Sequence, residues 1–220
     1  MLFIATPTRW IIPQVACIGN VMVNLFLFRK GDDLIAIDAG FHEGMVRRGL
    51  KKLGLDPLAV TKVFLTHSDR DHAACVHVFA NAVLYMGAAE SVLVERKAAR
   101  FKKHFNEPLS RVYQPVSDGE RISAGSITVQ AFATPGHTTG STSWLVDGTC
   151  LFVGDALTLS FGKVHIMPSF INMDTAMHRK TIRALAKKTK FKPLSNVKWL
   201  FTAHSGYTGK PLKALERWLR

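Results

Sequence analysis

The sequence predicts a two-sheet β core flanked by helices, and three observations predict it. Short apolar runs rich in β-branched and aromatic residues recur along both halves of the 220-residue chain. Amphipathic stretches of helical period separate them. Neither a Pro/Ser-rich linker nor a low-complexity tract divides the halves, so residues 1–220 read as one domain. Packing two sheets face to face, with helices outside, is the economical way to bury such elements.

The elements follow in order. Residues 2–38 alternate apolar stretches with turn signals, and "NVMVNLFLF" and "DLIAID" flank the polar, Gly-containing turn "RKGDD", a hairpin pattern. Met45, Leu50 and Leu53 among Arg47, Arg48, Lys51 and Lys52 predict an amphipathic helix over 44–53, stopped by Gly54. Val63–Leu65 is a short strand. Beyond it "AACVHVFA" predicts a helix, "AVLYMG" a strand, and "AAESVLVERKAARFKKHF" a longer helix ending near Pro108. In the second half "SITVQAFATPG", "STSWLVDG" and "CLFVGDAL" read as consecutive strands. "DTAMHRKTIRALAKKT" reads as a helix capped by Asp174, "VKWLFTAHSG" as a strand, and a final helix begins near Lys210.

Composition narrows the function classes. The formal charge is +13, with basic residues concentrated in 95–104, 178–192 and 210–220, each read as a helix. Such a balance favours anionic substrates, yet no aromatic-interleaved basic motif of a nucleic-acid-binding module accompanies it, so nucleic acid is not the expected partner. Nothing approaches a membrane-spanning run, and the N-terminal segment lacks a basic region ahead of its apolar residues, so neither a membrane nor a secretory leader is expected. Cys17, Cys75 and Cys150 are odd in number and widely spaced, which gives no disulfide framework; a reducing cytoplasm is the expectation.

The chemistry concentrates in "LTHSDRDH", Leu65 to His72, directly beyond a strand. Alternate residues of an extended chain point the same way, so His67 and Asp69 can share one metal ion while Asp71 and His72, after a turn, aim elsewhere. That suits two neighbouring ions. His137, Asp155 and His204 each stand immediately beyond another apolar run, bringing the ligand-capable residues at strand ends to seven. Asp38 holds the same kind of position after Ile37.

Five segments, "LIAIDAG", "FLTHSDRDH", "ATPGHTTGS", "LFVGDAL" and "FTAHSG", taken in that order, resemble the motifs of the metallo-β-lactamase superfamily over almost the whole chain. The resemblance implies an αββα sandwich: two mostly antiparallel or mixed sheets face to face, with helices on both outer faces. It implies two divalent metal ions, with His67, Asp69 and His137 on the first, Asp71, His72 and His204 on the second, and Asp155 bridging. Asp38 would orient the loop without touching metal.

One departure is at position 69, where the family's usual form has histidine. A carboxylate makes the first site harder and more negative, which moves preference from zinc toward iron or manganese; zinc remains the leading expectation for the pair of ions, with iron or manganese open because of Asp69. The reaction implied is hydrolysis of a small ester, thioester or lactone by a metal-bridging hydroxide, with Asp71 accepting and passing on the proton. The short glyoxalase II-like members are the nearest in kind, although the chain ends soon after His204, short of a glutathione-binding helical domain. The alternatives are an iron-dependent oxidoreductase of the diiron or persulfide dioxygenase type, supported by Asp69, and a phosphodiesterase or nuclease, supported by the charge. Cys75 and Tyr207 are further candidates near the site, the first as a small buried residue and the second as a donor to a substrate oxyanion. Apolar residues at 41, 161, 166, 167, 170 and 171 hint at an apolar acyl portion in the substrate.

Overall fold

The computed structural model describes residues 4–219; residues 1–3, where the predicted opening strands start, and residue 220, the end of the predicted final helix, lie outside the described residues. The first sheet holds β1 (Arg9–Ile12), β2 (Val15–Asn20), β3 (Val23–Lys30), β4 (Asp33–Ile37), β5 (Val60–Phe64), β6 (Val83–Gly87) and β7 (Tyr113–Val116), side by side in chain order. Pairing is antiparallel as far as β4 and parallel from β4 to β7. The second sheet holds β8 (Arg121–Ala124), β9 (Ile127–Ala133), β10 (Thr142–Val146) and β11 (Cys150–Phe152). A separate hairpin, β12 (Thr158–Ser160) and β13 (Lys163–His165), precedes β14 (Trp199–Thr202) and β15 (Gly206–Thr208), which complete that sheet in the order β15-β14-β11-β10-β9-β8. Only β11 and β14 pair in parallel there. The helices are α1 (Glu43–Leu53), α2 (Arg70–Ala73), α3 (Ser91–Val94), α4 (Thr175–Lys188) and α5 (Pro211–Leu215).

Alternation along the strands explains the layers. Phe26, Phe28, Phe64, Trp144, Phe152 and Phe201 share one buried cluster between the sheets. Their neighbours Leu25, Leu27, Val63 and Leu65 point the other way, against Val46 and Leu50 of α1. Leu145, Leu151 and Leu200 likewise meet Ile182 and Leu185 of α4 and Leu215 of α5. Both faces of each sheet are covered, which is why the strands read as continuous apolar runs. This is the αββα sandwich with mixed sheets. Trp144 Nε1 donates to the Leu65 carbonyl at 3.1 Å, tying the second sheet to the strand end that leads into His67.

Strand direction then places the site. β4 and β5 are parallel, so Asp38 and the 66–72 loop leave the first sheet at one edge. β9, β11 and β14 also run one way, being linked through β10 by two antiparallel pairings and then by a parallel one, so His137, Asp155 and His204 leave the second sheet together.

The hairpin around Gly31, α1 with its left-handed Gly54 (φ 68°), and α4 with Asp174 accepting from Met177 N–H stand where the sequence predicts them. Two helices do not. After α2 the chain forms only a 3-10 turn at Val76–Val78, because Cys75 N–H turns aside to the Gly40 carbonyl at 3.3 Å. The basic segment 95–104 is also not helical: α3 ends at Val94, and Arg96 and Lys102 adopt left-handed φ values of 57° and 41°. The physical reason is Arg100. Its side chain is only 1% exposed, and a solvated helix face cannot deliver it inward. The strands β7, β8, β12, β13 and β15 are three or four residues long, too short to establish a period, and the sequence does not predict them. Among the described residues no helix is long and apolar enough to cross a membrane.

Candidate metal centre

The structure brings all seven predicted residues to one place. Ligand-capable atoms of His67, Asp69 and His137, of Asp71, His72 and His204, and of His67, His72 and Asp155 each gather within 4.8 Å of one another. His67, His72, His137 and Asp155 are buried, whereas the Asp71 side chain keeps 30% of its surface in solvent.

Each imidazole is held by its Nδ1, which leaves Nε2 facing the centre. Asp38 Oδ2 lies 2.8 Å from His72 Nδ1, and Met22 O lies 2.7 Å from His204 Nδ1. Thr66 Oγ1 lies 3.0 Å from His67 Nδ1, and Asn172 Oδ1 3.2 Å from His137 Nδ1. Asp38 also accepts from Thr66 N–H at 2.7 Å, so it orients the loop without reaching the centre. Pinning one ring nitrogen fixes the tautomer and aims the other lone pair, the arrangement that metal-binding histidines need.

Two glycines make the close approaches possible. A Cβ on Gly154 (φ +51°) would lie 2.5 Å from Thr66 Oγ1, so only glycine lets the Asp155 turn pass over the 66–72 loop. A Cβ on Gly136 (φ +134°) would lie 2.4 Å from His178 Cα, where the His137 loop crosses α4. His178 itself is buried with Nε2 2.8 Å from the Ala156 carbonyl; burial pushes its pKa down to about 4, so it is a neutral structural residue.

The donor spacing tests whether an ion fits. Tetrahedral ligands at roughly 2.0–2.1 Å from a divalent ion stand about 3.3 Å apart. Around Asp155 Oδ1 and Asp71 Oδ2 the separations are 3.1 Å and 3.4 Å to His204 Nε2, and 3.5 Å and 3.6 Å to His72 Nε2. His72 Nε2 and Asp155 Oδ1 are buried without a hydrogen-bond partner. Buried polar atoms are nearly always satisfied, so these two call for a cation. Asp71, His72, Asp155 and His204 therefore fit a divalent ion.

The other set has the same spacing, with Asp69 Oδ2 3.4 Å from His67 Nε2 and 3.3 Å from His137 Nε2, and Asp155 Oδ2 3.3 Å from His137 Nε2. Here, however, a cation of the chain's own is already present. Arg100 Nε donates to Asp69 Oδ1 and Oδ2 at 2.8 Å and 3.0 Å, and Arg100 Nη2 lies 2.9 Å from His137 Nε2. The fit to a metal ion is correspondingly incomplete.

Electrostatics favour positive charge throughout. Burial alone would raise Asp69, but the imidazoles of His67 and His137 and the Arg100 guanidinium hold it well below the usual carboxylate range. Burial would also raise Asp155, and His204, His72 and His137 hold it well below that range. Conversely, burial opposes a charged His72, yet Asp71, Asp38 and Asp155 raise it well above the ordinary histidine value; Asp155 raises His204 against burial in the same way. Protons and a metal ion thus compete for the nitrogens of His72 and His204. Apparent metal affinity is expected to rise as pH increases from 6 to 8, since the imidazoles must lose their protons to bind. A competition titration that finds affinity constant over that interval would contradict this.

Sequence reasoning missed the residues that hold the site from behind. Glu90, buried, accepts from Ser68 N–H and Oγ through one oxygen and from Thr138 Oγ1 and Gly140 N–H through the other, all at 2.7–2.8 Å. Asn106 Nδ2 donates to Ser68 Oγ at 2.9 Å and to Asp69 Oδ1 at 3.0 Å. A lone acid in the apolar run "GAAESVLV" was the available signal for Glu90. Two other candidates take structural roles. Burial raises the Cys75 thiol to about 11 within the α1-side core, and the Tyr207 hydroxyl lies 2.9 Å from Arg9 Nη2 while its ring packs on Phe201.

A sandwich of two mixed sheets with histidines and aspartates converging on one edge defines a class of metal-binding αββα proteins. The family model of the metallo-beta-lactamase superfamily matches residues 18–214, and the chain belongs to that superfamily. A "Glyoxylase B2" of Dictyostelium discoideum is 26% identical over 98 residues, 42% of this chain and 34% of that protein. A "Hydroxyacylglutathione hydrolase-like protein" of Mus musculus is 26% identical over 168 residues, 72% of this chain and 51% of that one. The chain thus spans about a third and about half the length of these two relatives. Among solved structures, a B3 metallo-beta-lactamase described as the first with an active-site glutamic acid superposes with a TM-score of 0.71 at 21% identity, over 99% of this chain and 89% of that one.

Proposed function

We propose that residues 1–220, acting as one domain, form a metal-dependent hydrolase for a small, anionic ester, thioester or lactone. The observation that carries this reading is the pair of buried, unpartnered donors, His72 Nε2 and Asp155 Oδ1, set among donors at the spacing of a tetrahedral ion site. Asp71, His72, Asp155 and His204 would hold the ion; His67, Asp69 and His137 form the adjoining donor set. An ion there supplies Lewis-acid polarisation of the substrate's carbonyl oxygen and lowers the pKa of a water.

The chain's own residues do the rest. Asp71 combines solvent access with a place beside His72 and His204, so it is the group positioned to accept a proton from the attacking water and pass it outward. The name of the mouse relative, a hydrolase, supports hydrolysis as the reaction. The exposed Phe41 and Phe170, the latter next to Ile171, support an apolar acyl portion. Met167, by contrast, is buried and unavailable to substrate, and Phe161 projects wholly into solvent.

An iron-dependent oxidoreductase draws its support from Asp69 as a metal ligand, and Arg100 already engages both oxygens of that carboxylate. Hydrolysis is accordingly preferred. The test is a panel of thioesters, lactones, aryl esters and phosphodiesters assayed before and after dialysis against a chelator. Acyl-ester turnover lost on chelation and restored by zinc, iron or manganese is the expected result. Turnover indifferent to chelation, or confined to phosphodiesters, would overturn the reading.

A further inference from the structure

We propose that the Arg100 guanidinium serves as a built-in cation in the first donor set, so that the protein binds a single divalent ion, at Asp71, His72, Asp155 and His204. The inference rests on the metal-dependent reading above and concerns how many ions that reading requires.

Lone pairs of the first set are already engaged. Asn172 Nδ2 donates to the Met167 carbonyl at 2.9 Å, which fixes the amide with its oxygen toward His137 Nδ1 at 3.2 Å. His137 therefore carries its proton on Nδ1 and presents one in-plane lone pair on Nε2. Arg100 Nη2, 2.9 Å away, takes that lone pair. An arginine is a donor only and stays charged, so the contact has one polarity and leaves no electron pair on this nitrogen for a metal.

Asp69 is engaged in the same way. Arg100 Nε contacts both of its oxygens, and Asn106 Nδ2 donates to Oδ1 at 3.0 Å. Two of the three members of the first set are thus bonded to the guanidinium, and only His67 Nε2 keeps an unshared pair.

The guanidinium is also fixed rather than adventitious. Arg100 Nη2 donates a second time to the Ile171 carbonyl at 2.9 Å, and Phe101 lies with its ring centroid 4.1 Å from Arg100 Cζ. With the side chain 1% exposed, the charge is held out of water beside two of the three donors of the first set. The carboxylate at position 69 acquires a reason that metal preference does not supply: a histidine there would leave this buried guanidinium without a counter-ion.

The decisive measurement is metal stoichiometry. Wild-type protein dialysed against excess zinc, iron(II) or manganese(II), freed of unbound metal and analysed by mass spectrometry, is expected to hold about one ion per chain. Arg100→Met, folded by circular dichroism, is expected to hold about two, since His137 Nε2 and the Asp69 oxygens become available. Two ions in the wild type, or one ion in both proteins, would overturn the inference and leave the metal-dependent reading standing. No ion bound to the wild type under any of the three metals would overturn both. Should Arg100→Met fail to fold, the wild-type count together with anomalous scattering at the zinc edge decides. A single peak among Asp71, His72 and His204 supports the inference, and a peak among His67, Asp69 and His137 refutes it.

Discussion

Asp71→Ala is expected to lower kcat/KM by about a thousandfold, the scale of losing a positioned proton acceptor. Asp71 stands on the first turn of α2, with Oδ2 3.4 Å from His204 Nε2 and 3.6 Å from His72 Nε2. It is the most exposed of the seven converging side chains, so its departure uncovers little apolar surface, and stability should change by no more than about 1 kcal/mol. Activity and stability therefore separate at this residue. Asp71→Asn sharpens the distinction, because an amide keeps the shape and one coordinating oxygen while accepting no proton at neutral pH. A variant that retains its metal but loses kcat assigns proton transfer to Asp71; loss of metal with an unchanged kcat in the fraction still loaded assigns it to ion binding alone. Near-native activity of Asp71→Ala at full metal content would remove the residue from the mechanism.

How much of this was legible in the sequence divides along the line between local and distant contacts. The strand ends were readable because a strand buried on both faces leaves a continuous apolar run, and the polar residues within a few positions beyond it mark where the chain emerges. His67, His137, Asp155 and His204 all stand at such points. The position of Asp38 followed from the same pattern and its orienting role from the family resemblance, and the structure places it on His72 Nδ1 and Thr66 N–H.

The 95–104 segment was not readable. Lys, Arg and Ala in that density satisfy helix propensity, and nothing local distinguishes Arg100 from its solvated neighbours; what makes it special lies 31 residues away at Asp69 and 37 away at His137. Asp69 illustrates the consequence. Taken alone, a carboxylate in a metal motif is a choice of harder metal, whereas beside Arg100 it is half of a buried ion pair. Charge partners across loops leave no periodicity, and this is where sequence reading gives out.

Glu90→Ala is expected to cost on the order of 3–5 kcal/mol in unfolding free energy, a large share of the roughly 5–15 kcal/mol that holds a typical domain together. Glu90 lies between the elements that carry the two loops, one oxygen serving Ser68 and the other serving Thr138 and Gly140. The Thr138 hydroxyl has an alternative acceptor, since Ser141 Oγ lies 2.8 Å from Thr138 Oγ1, whereas Asn106 Nδ2 is itself a donor to Ser68 Oγ and cannot replace Glu90 as its acceptor. The amide hydrogens of Ser68 and Gly140 have no alternative acceptor either, and each orphaned buried donor costs about 1–3 kcal/mol. Water has poor access, because a Cβ on Gly140 would already lie 2.1 Å from Glu90 N and the two segments are in backbone contact. Glu90→Gln should recover about half of the loss: its single oxygen serves one pair of donors, and its NH₂ then faces the other pair as donor against donor. Because Ser68 separates His67 from Asp69, and Thr138 follows His137, the same variants should loosen the His67, Asp69 and His137 set before they disturb Asp71 and His204. Urea unfolding measures the first effect, and a Glu90→Ala protein within 1 kcal/mol of wild type would show that the four bonds to Glu90 are replaceable by solvent.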